Sequence, residues 1–137
     1  MLPFRTTCFI FVLIVIVMVD KIKYRTVIFY KDYFNAFFKK QRRKVKEKIV
    51  WIFDVIELHQ HVPEIYLKHI EGTDGLYEIR VQQGSDIFRI LCFFDKGKLI
   101  VLANAFQKKT QKTPGEEIQK ALKIKEEYYE QKKYQNT

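Results

Sequence analysis

The sequence predicts a small α+β domain in the order β-α-α-β-β-β-α, with a helical hairpin packed on an antiparallel sheet. Three patterns carry this expectation. A β-rich alternating run opens the domain, and apolar residues then recur at three- and four-residue steps. Three short strand-like runs with two turns between them follow, ahead of a last amphipathic stretch.

Lys23 to Tyr30 alternates and is rich in β-formers, so it predicts the first strand. Asp32 suits an N-cap, and Phe34, Phe37, Phe38, Val45, Ile49, Ile52, Phe53 and Ile56 then keep helical spacing. The polar run Lys39 to Lys44 divides that stretch into two helices, and Pro63 ends the second helical region. Glu64 to Thr73 reads as a connector. Leu76 to Gln82, Phe88 to Phe94 and Leu99 to Phe106 read as strands. Gln83-Gly84-Ser85-Asp86 and Asp95-Lys96-Gly97-Lys98 are the turns of two hairpins. Thr113-Pro114-Gly115-Glu116 has the form of a capping box with proline at the first helical position. Ile118, Ala121, Leu122, Lys125 and Tyr129 then give a weakly amphipathic helix to about Gln131. The residues beyond it form a polar tail expected to fray. The domain is expected over residues 18–132, with residues 133–137 as the tail.

A chain of 137 residues has room for one domain with a modest core, and its 47% hydrophobic and 15% aromatic content excludes a disordered polymer. The net charge of +9 is gathered in blocks: Lys39 to Lys48 holds seven basic residues and one acid, and Lys108 to Lys112 is a second cluster. Such a surface favours nucleic acid or an acidic protein partner. Cys8 and Cys92 lie in unrelated segments without zinc-ligand spacing, and Cys92 reads as a small core residue. His59, His61 and His69 read as surface histidines, so no metal and no small-molecule cofactor is expected.

Residues 1–17 read as an apolar extension. The apolar run Cys8 to Val19 counts twelve residues, whereas a membrane span needs about 20. Met18-Val19-Asp20-Lys21 lacks the small residues of a signal-cleavage site. Translation starting at Met18 would open directly on the first strand, and this is the preferred reading, with a cytoplasmic protein as its consequence. A membrane anchor through residues 8–19 and a cleaved signal stay open beside it.

Strand parity selects the candidate site. Tyr77, Ile79 and Val81 share what reads as the core face, which sends Glu78 and Arg80 to the open face. Register could set Arg89 beside Arg80, and the loop after the last strand could carry Lys108, Lys109 and Lys112 over the same face. Guanidinium groups beside lysines suit phosphate binding. Arg80 and Arg89 are the candidates for charge stabilisation, Lys109 for a third cationic contact or proton donor, and Glu78 for a base. Lys108 and Lys112 are candidate RNA contacts. An ion pair between Glu78 and Arg80 is the competing structural reading.

The segments DGLYEIRV, the arginine of FRILCFF, NAFQKKTQKTP and EIQKALKIKEEY resemble the phage-derived HigB-like toxins of the RelE/ParE superfamily, over roughly residues 22–132. The resemblance implies a toxin of a bacterial toxin–antitoxin pair, with a helix-turn-helix antitoxin as partner. It further implies a ribosome-dependent endoribonuclease that cuts mRNA without metal and leaves a 2′,3′-cyclic phosphate. Better-defined ribonuclease members carry lysine where Glu78 stands, and often a tyrosine or histidine soon after the last strand. Here that loop offers Gln107, Thr110, Gln111 and Thr113. A gyrase poison of the same fold, and an inactive membrane-tethered binding module, remain alternative functions.

Overall fold

The computed structural model describes residues 10–14, 22–110 and 112–135. Cys8 and most of the apolar extension therefore lie outside the described residues; residues 10–14 are helical and exposed. Among the described residues no helix is long and apolar enough to cross a membrane.

The elements run β1 (Thr26–Phe29), α1 (Tyr33–Lys39), α2 (Arg43–Leu58), β2 (Leu67–His69), β3 (Leu76–Gln83), β4 (Asp86–Asp95), β5 (Leu99–Gln107) and α3 (Gly115–Gln135). They form a mixed α+β fold around one five-stranded sheet of order β1-β5-β4-β3-β2. Two features correct the expected architecture. The connector before β3 holds a three-residue strand, β2, which pairs antiparallel with β3. The sheet is also mixed, because β1 lies parallel to β5. Both helices α1 and α2 separate β1 from the hairpins, and a crossover of that length allows parallel return where a tight turn would not.

The hairpins follow their turn residues. Gly84, with φ of +64°, opens the two-residue loop between Gln83 and Asp86, and Lys96 and Gly97 both take positive φ before β5. Glycine reaches that region without a Cβ clash.

Helix α2 ends at Leu58, several residues before Pro63. The Arg25 guanidinium donates to Ile56 O (3.2 Å) in its last turn, to the cap residue His59 O (2.9 Å) and to Gln60 O (2.9 Å) just beyond. A cation is well placed at a helix C-terminus, where carbonyls lack intrahelical partners. Asp32 sits at the start of α1 but makes no side-chain cap bond. α3 spans Gly115–Gln135, past the end expected near Gln131, and its Lys132 Nζ and Tyr128 Oη reach the buried Asp95 carboxylate at 2.5 and 2.7 Å.

Helices cover both faces of the sheet. Phe34, Val45, Ile49, Ile52 and Ile56 of α1 and α2 pack on Ile79, Val81, Ile90, Cys92, Ile100 and Leu102. Ala121 and Ile124 of α3 pack on Leu76, Leu91, Phe93, Val101 and Ala103 of the other face. Each fully buried large side chain in these layers contributes about 1.5–3 kcal/mol. Cys92 is indeed a core residue, and burial pushes its thiol pKa up. The face expected to be open, the one carrying Glu78 and Arg80, is therefore the floor beneath α3.

Candidate functional site

β3 and β4 pair with Arg80 directly opposite Arg89, and Glu78 opposite Leu91. The two guanidinium groups consequently share the α3 face with Glu78. Glu78 is buried, at 8% exposure, and is met by Thr113 of the loop before α3. Its Oε1 lies 3.7 Å from Arg80 Nε and its Oε2 lies 3.6 Å from Arg89 Nε. Both contacts exceed hydrogen-bond length, and both Nε atoms are buried without a hydrogen-bond partner. Arg89 Nη1 donates to Phe88 O at 3.1 Å, and Arg80 Nη1 reaches Glu64 O at 3.5 Å. Arg89 is the buried member of the pair, with 6% of its side chain exposed against 31% for Arg80. Burial depresses the Arg89 pKa, the nearby Glu78 carboxylate opposes the shift, and Arg80 adds to it.

A bulge aims the third cation. Between β4 and β5 the pairing steps from Cys92↔Leu102 to Ile90↔Ala105, so β5 spends three residues where β4 spends two. An extra residue reverses the parity of everything beyond it. Ala103 and Asn104 both turn to the α3 side, where Asn104 Nδ2 donates to Glu117 Oε2 at 2.7 Å. Phe106 then falls opposite Arg89, and Lys108 continues the ladder by donating its amide to Ile87 O at 2.7 Å. Lys108 thereby arrives on the arginine face. Its amine pKa is lowered, first by burial and then by Arg89, with Arg80 and Lys68 also lowering it and Glu78 opposing. Lys68 stands opposite Glu78 in the β2–β3 pairing. Four cations (Lys68, Arg80, Arg89 and Lys108) thus share one neighbourhood with the Glu78 carboxylate.

The loop after β5 is tied back by Thr113, whose Oγ1 donates to Glu78 Oε2 at 2.8 Å. This corrects the capping-box expectation. The hydroxyl that should have capped α3 is engaged by Glu78 instead, and the first turn forms through Glu117 and Ile118 amides donating to Pro114 O.

A cavity of about 740 Å³ opens at this end of the sheet. It is lined by Arg80, Arg89, Lys108 and Lys109 together with Lys48, Ile52, Ile65 and Tyr66. β2 has ended here, and among the described residues no strand pairs with β3 on this side beyond Arg80.

The structure thus brings together Glu78, Arg80, Arg89 and Lys108. Arg80, Arg89, Lys108 and the exposed Lys109 line the cavity, whereas the buried Glu78 and the exposed Lys112 do not. Sequence reasoning missed Lys68, Thr113, Lys48 and Tyr66. The Ile65-Tyr66-Leu67 run after Pro63 was the available signal for an added strand with an aromatic at its start. Two of the three histidines make local contacts: His59 Nδ1 lies 3.2 Å from Val55 O, and His69 Nε2 lies 3.2 Å from Thr73 O.

No curated protein matches the chain. The family described as phage derived protein Gp49-like (DUF891) matches residues 36–126, a span from α1 through most of α3 that includes every residue gathered at the cavity. The chain belongs to this Gp49-like family of phage-derived proteins, a family associated with toxin–antitoxin systems.

Proposed function

We propose that the chain is the toxin of a toxin–antitoxin pair, of HigB-like type, and that it cuts mRNA on the ribosome through side-chain chemistry alone. The observation that carries this reading is the Arg80–Arg89 pair, set face to face beside Lys108 in one cavity of a Gp49-like chain. A scissile phosphodiester on the two guanidiniums would have its non-bridging oxygens neutralised where charge develops in the transition state, an effect worth several kcal/mol in a water-poor site. Glu78 takes the proton of the attacking 2′-hydroxyl. The 2′-oxygen bonds to phosphorus as the bond to the 5′-oxygen breaks, leaving a 2′,3′-cyclic phosphate. Lys108 gives its proton to the departing 5′-oxygen. The sequence pointed to Lys109 for that donor; the lowered pKa and the placement of Lys108 support the neighbouring lysine instead. The expected partner is an antitoxin encoded beside it, with the ribosome and mRNA as target.

Induction in growing cells, with mRNA ends mapped before growth stops, tests the reading. Ends clustered inside translated frames are the expected result. Loss of DNA supercoiling with intact mRNA would replace ribonuclease by gyrase poisoning, and normal growth with abundant folded protein would remove the toxin reading altogether.

A further inference from the structure

We propose that the part of the cavity lined by Tyr66 is a nucleobase subsite, with the Tyr66 ring as its stacking surface. The inference rests on the phosphate site proposed above and names what lies next to it. The cavity is lined by two kinds of residue: the cations Arg80, Arg89 and Lys108, and the apolar or aromatic Ile52, Ile65 and Tyr66, with Lys48 of α2 beside them. A phosphate alone needs only the first, and about 740 Å³ lies within the ~300–1,000 Å³ typical of sites that enclose a whole small molecule.

The two kinds are held at fixed spacing by the backbone. Tyr66 O accepts the Arg80 amide at 2.8 Å, so the ring-bearing residue and the guanidinium-bearing residue are bonded neighbours across the end of β2. The Tyr66 amide in turn donates to Pro63 O at 2.9 Å. The ring is braced from behind, with its centroid 5.5 Å from that of Trp51 in an edge-on arrangement. Lys48, another residue of the cavity wall, sits over Trp51 at 4.8 Å. An anion-binding group and a braced, half-buried aromatic ring next to it match a ligand with an anionic end and a flat apolar body. In a nucleic acid that body is the base attached to the ribose whose phosphate occupies the arginines. Stacking on such a ring tolerates every base, because each has a π-face.

Trp51 is the chain's single tryptophan and touches Tyr66, so its fluorescence reports on the subsite. The full chain is titrated with adenosine 3′-monophosphate, with ribose 5-phosphate and with inorganic phosphate. The nucleotide is expected to bind roughly tenfold more tightly than either base-free ligand and to change the Trp51 emission. Tyr66→Phe should keep that preference, and Tyr66→Ala should erase it while ribose 5-phosphate binding is unaltered. Equal affinity for the nucleotide and ribose 5-phosphate in the unaltered chain would overturn the subsite while leaving the phosphate site standing. A folded Tyr66→Ala protein that retained the nucleotide preference would overturn it too. Failure of all three ligands to bind would remove the phosphate site and the base subsite together.

Discussion

Arg80 and Arg89 stand directly opposite each other across the β3–β4 ladder, two like charges in one cross-strand pair. Like charges in that position destabilise a sheet. Here the Glu78 carboxylate lies within 3.7 Å of both Nε atoms and offsets their repulsion without forming a hydrogen bond to either. Both Nε atoms are buried without a hydrogen-bond partner, an arrangement suited to an anion that can complete it.

Arg89→Ala should lower activity by at least about 100-fold, the scale on which loss of one charge-stabilising donor acts. The protein should stay folded, because Glu78 keeps Arg80 and Thr113 as neighbours. Toxicity assays paired with circular dichroism check both halves. A folded and fully toxic variant would strip Arg89 of its role.

Glu78→Gln separates binding from chemistry. Without the carboxylate the two arginines are freed for phosphate, so RNA should bind more tightly while cleavage is lost. Stability should fall by about 3 kcal/mol, the lower end of the cost of unpairing a buried charge, since Arg80 is partly solvated. Denaturant unfolding and filter binding measure the two effects. Undiminished cleavage by this variant would exclude Glu78 as the base.

Lys108 and Lys109 should differ although they are adjacent. Lys108→Ala should reduce the salt slope of RNA affinity by about 0.7, one phosphate contact on a single strand, and the exposed Lys109 should matter less. The ammonium is the binding form, and the Lys108 pKa lies below the ordinary lysine value of 10.5. RNA affinity should therefore fall as pH rises, at lower pH than an unperturbed lysine would dictate. Lys108→Arg should hold its affinity across the same range. Parallel pH profiles for the two proteins would place Lys108 outside the interface.

Asp95 should make the fold acid-sensitive. Its hydrogen bond from Lys132 lowers its pKa below 3.8, burial opposes, and the Tyr128 bond adds to the lowering. A carboxyl with a depressed native pKa stabilises the fold above its unfolded value and loses that contribution as pH falls through the native one. Asp95→Asn should unfold more readily at neutral pH, and the gap to the unaltered chain should close as pH drops below about 4. Chemical denaturation at several pH values gives the comparison; a gap independent of pH would exclude an ionic contribution.

The strands and helices of the hairpin region were legible because each turn has its own residues and each element its own period. Gly84 and Gly97 mark the two hairpins, and the phenylalanines of α1 mark its buried side. Glu78 and Arg80 could be set on one face by alternation, and the β3–β4 register then brings Arg89 to it. Three things escaped that reading. The parallel pairing of β1 with β5 depends on α1 and α2 intervening, which no local pattern encodes. The bulge at Ala103 and Asn104 breaks the alternation, so the arrival of Lys108 on the arginine face could not be counted from Leu99. Thr113 carries a capping signature, yet its hydroxyl bonds a carboxylate 35 residues away in sequence, and only tertiary proximity makes that partner the better one.

The strand order has a consequence for self-association. Both borders of the sheet are its shortest strands, four residues in β1 and three in β2. The Val27 amide on the β1 border is already occupied, donating to Glu57 Oε2 at 2.8 Å. Among the described residues a neighbouring molecule therefore meets brief rows of unpaired backbone groups on β1, on β2 and on the end of β3 past Arg80, each too short to template an extended β-ladder. The long, strongly apolar strands β4 and β5 lie inside, where no other chain can reach their amides, so the domain can carry its most aggregation-prone segments without exposing them at an edge.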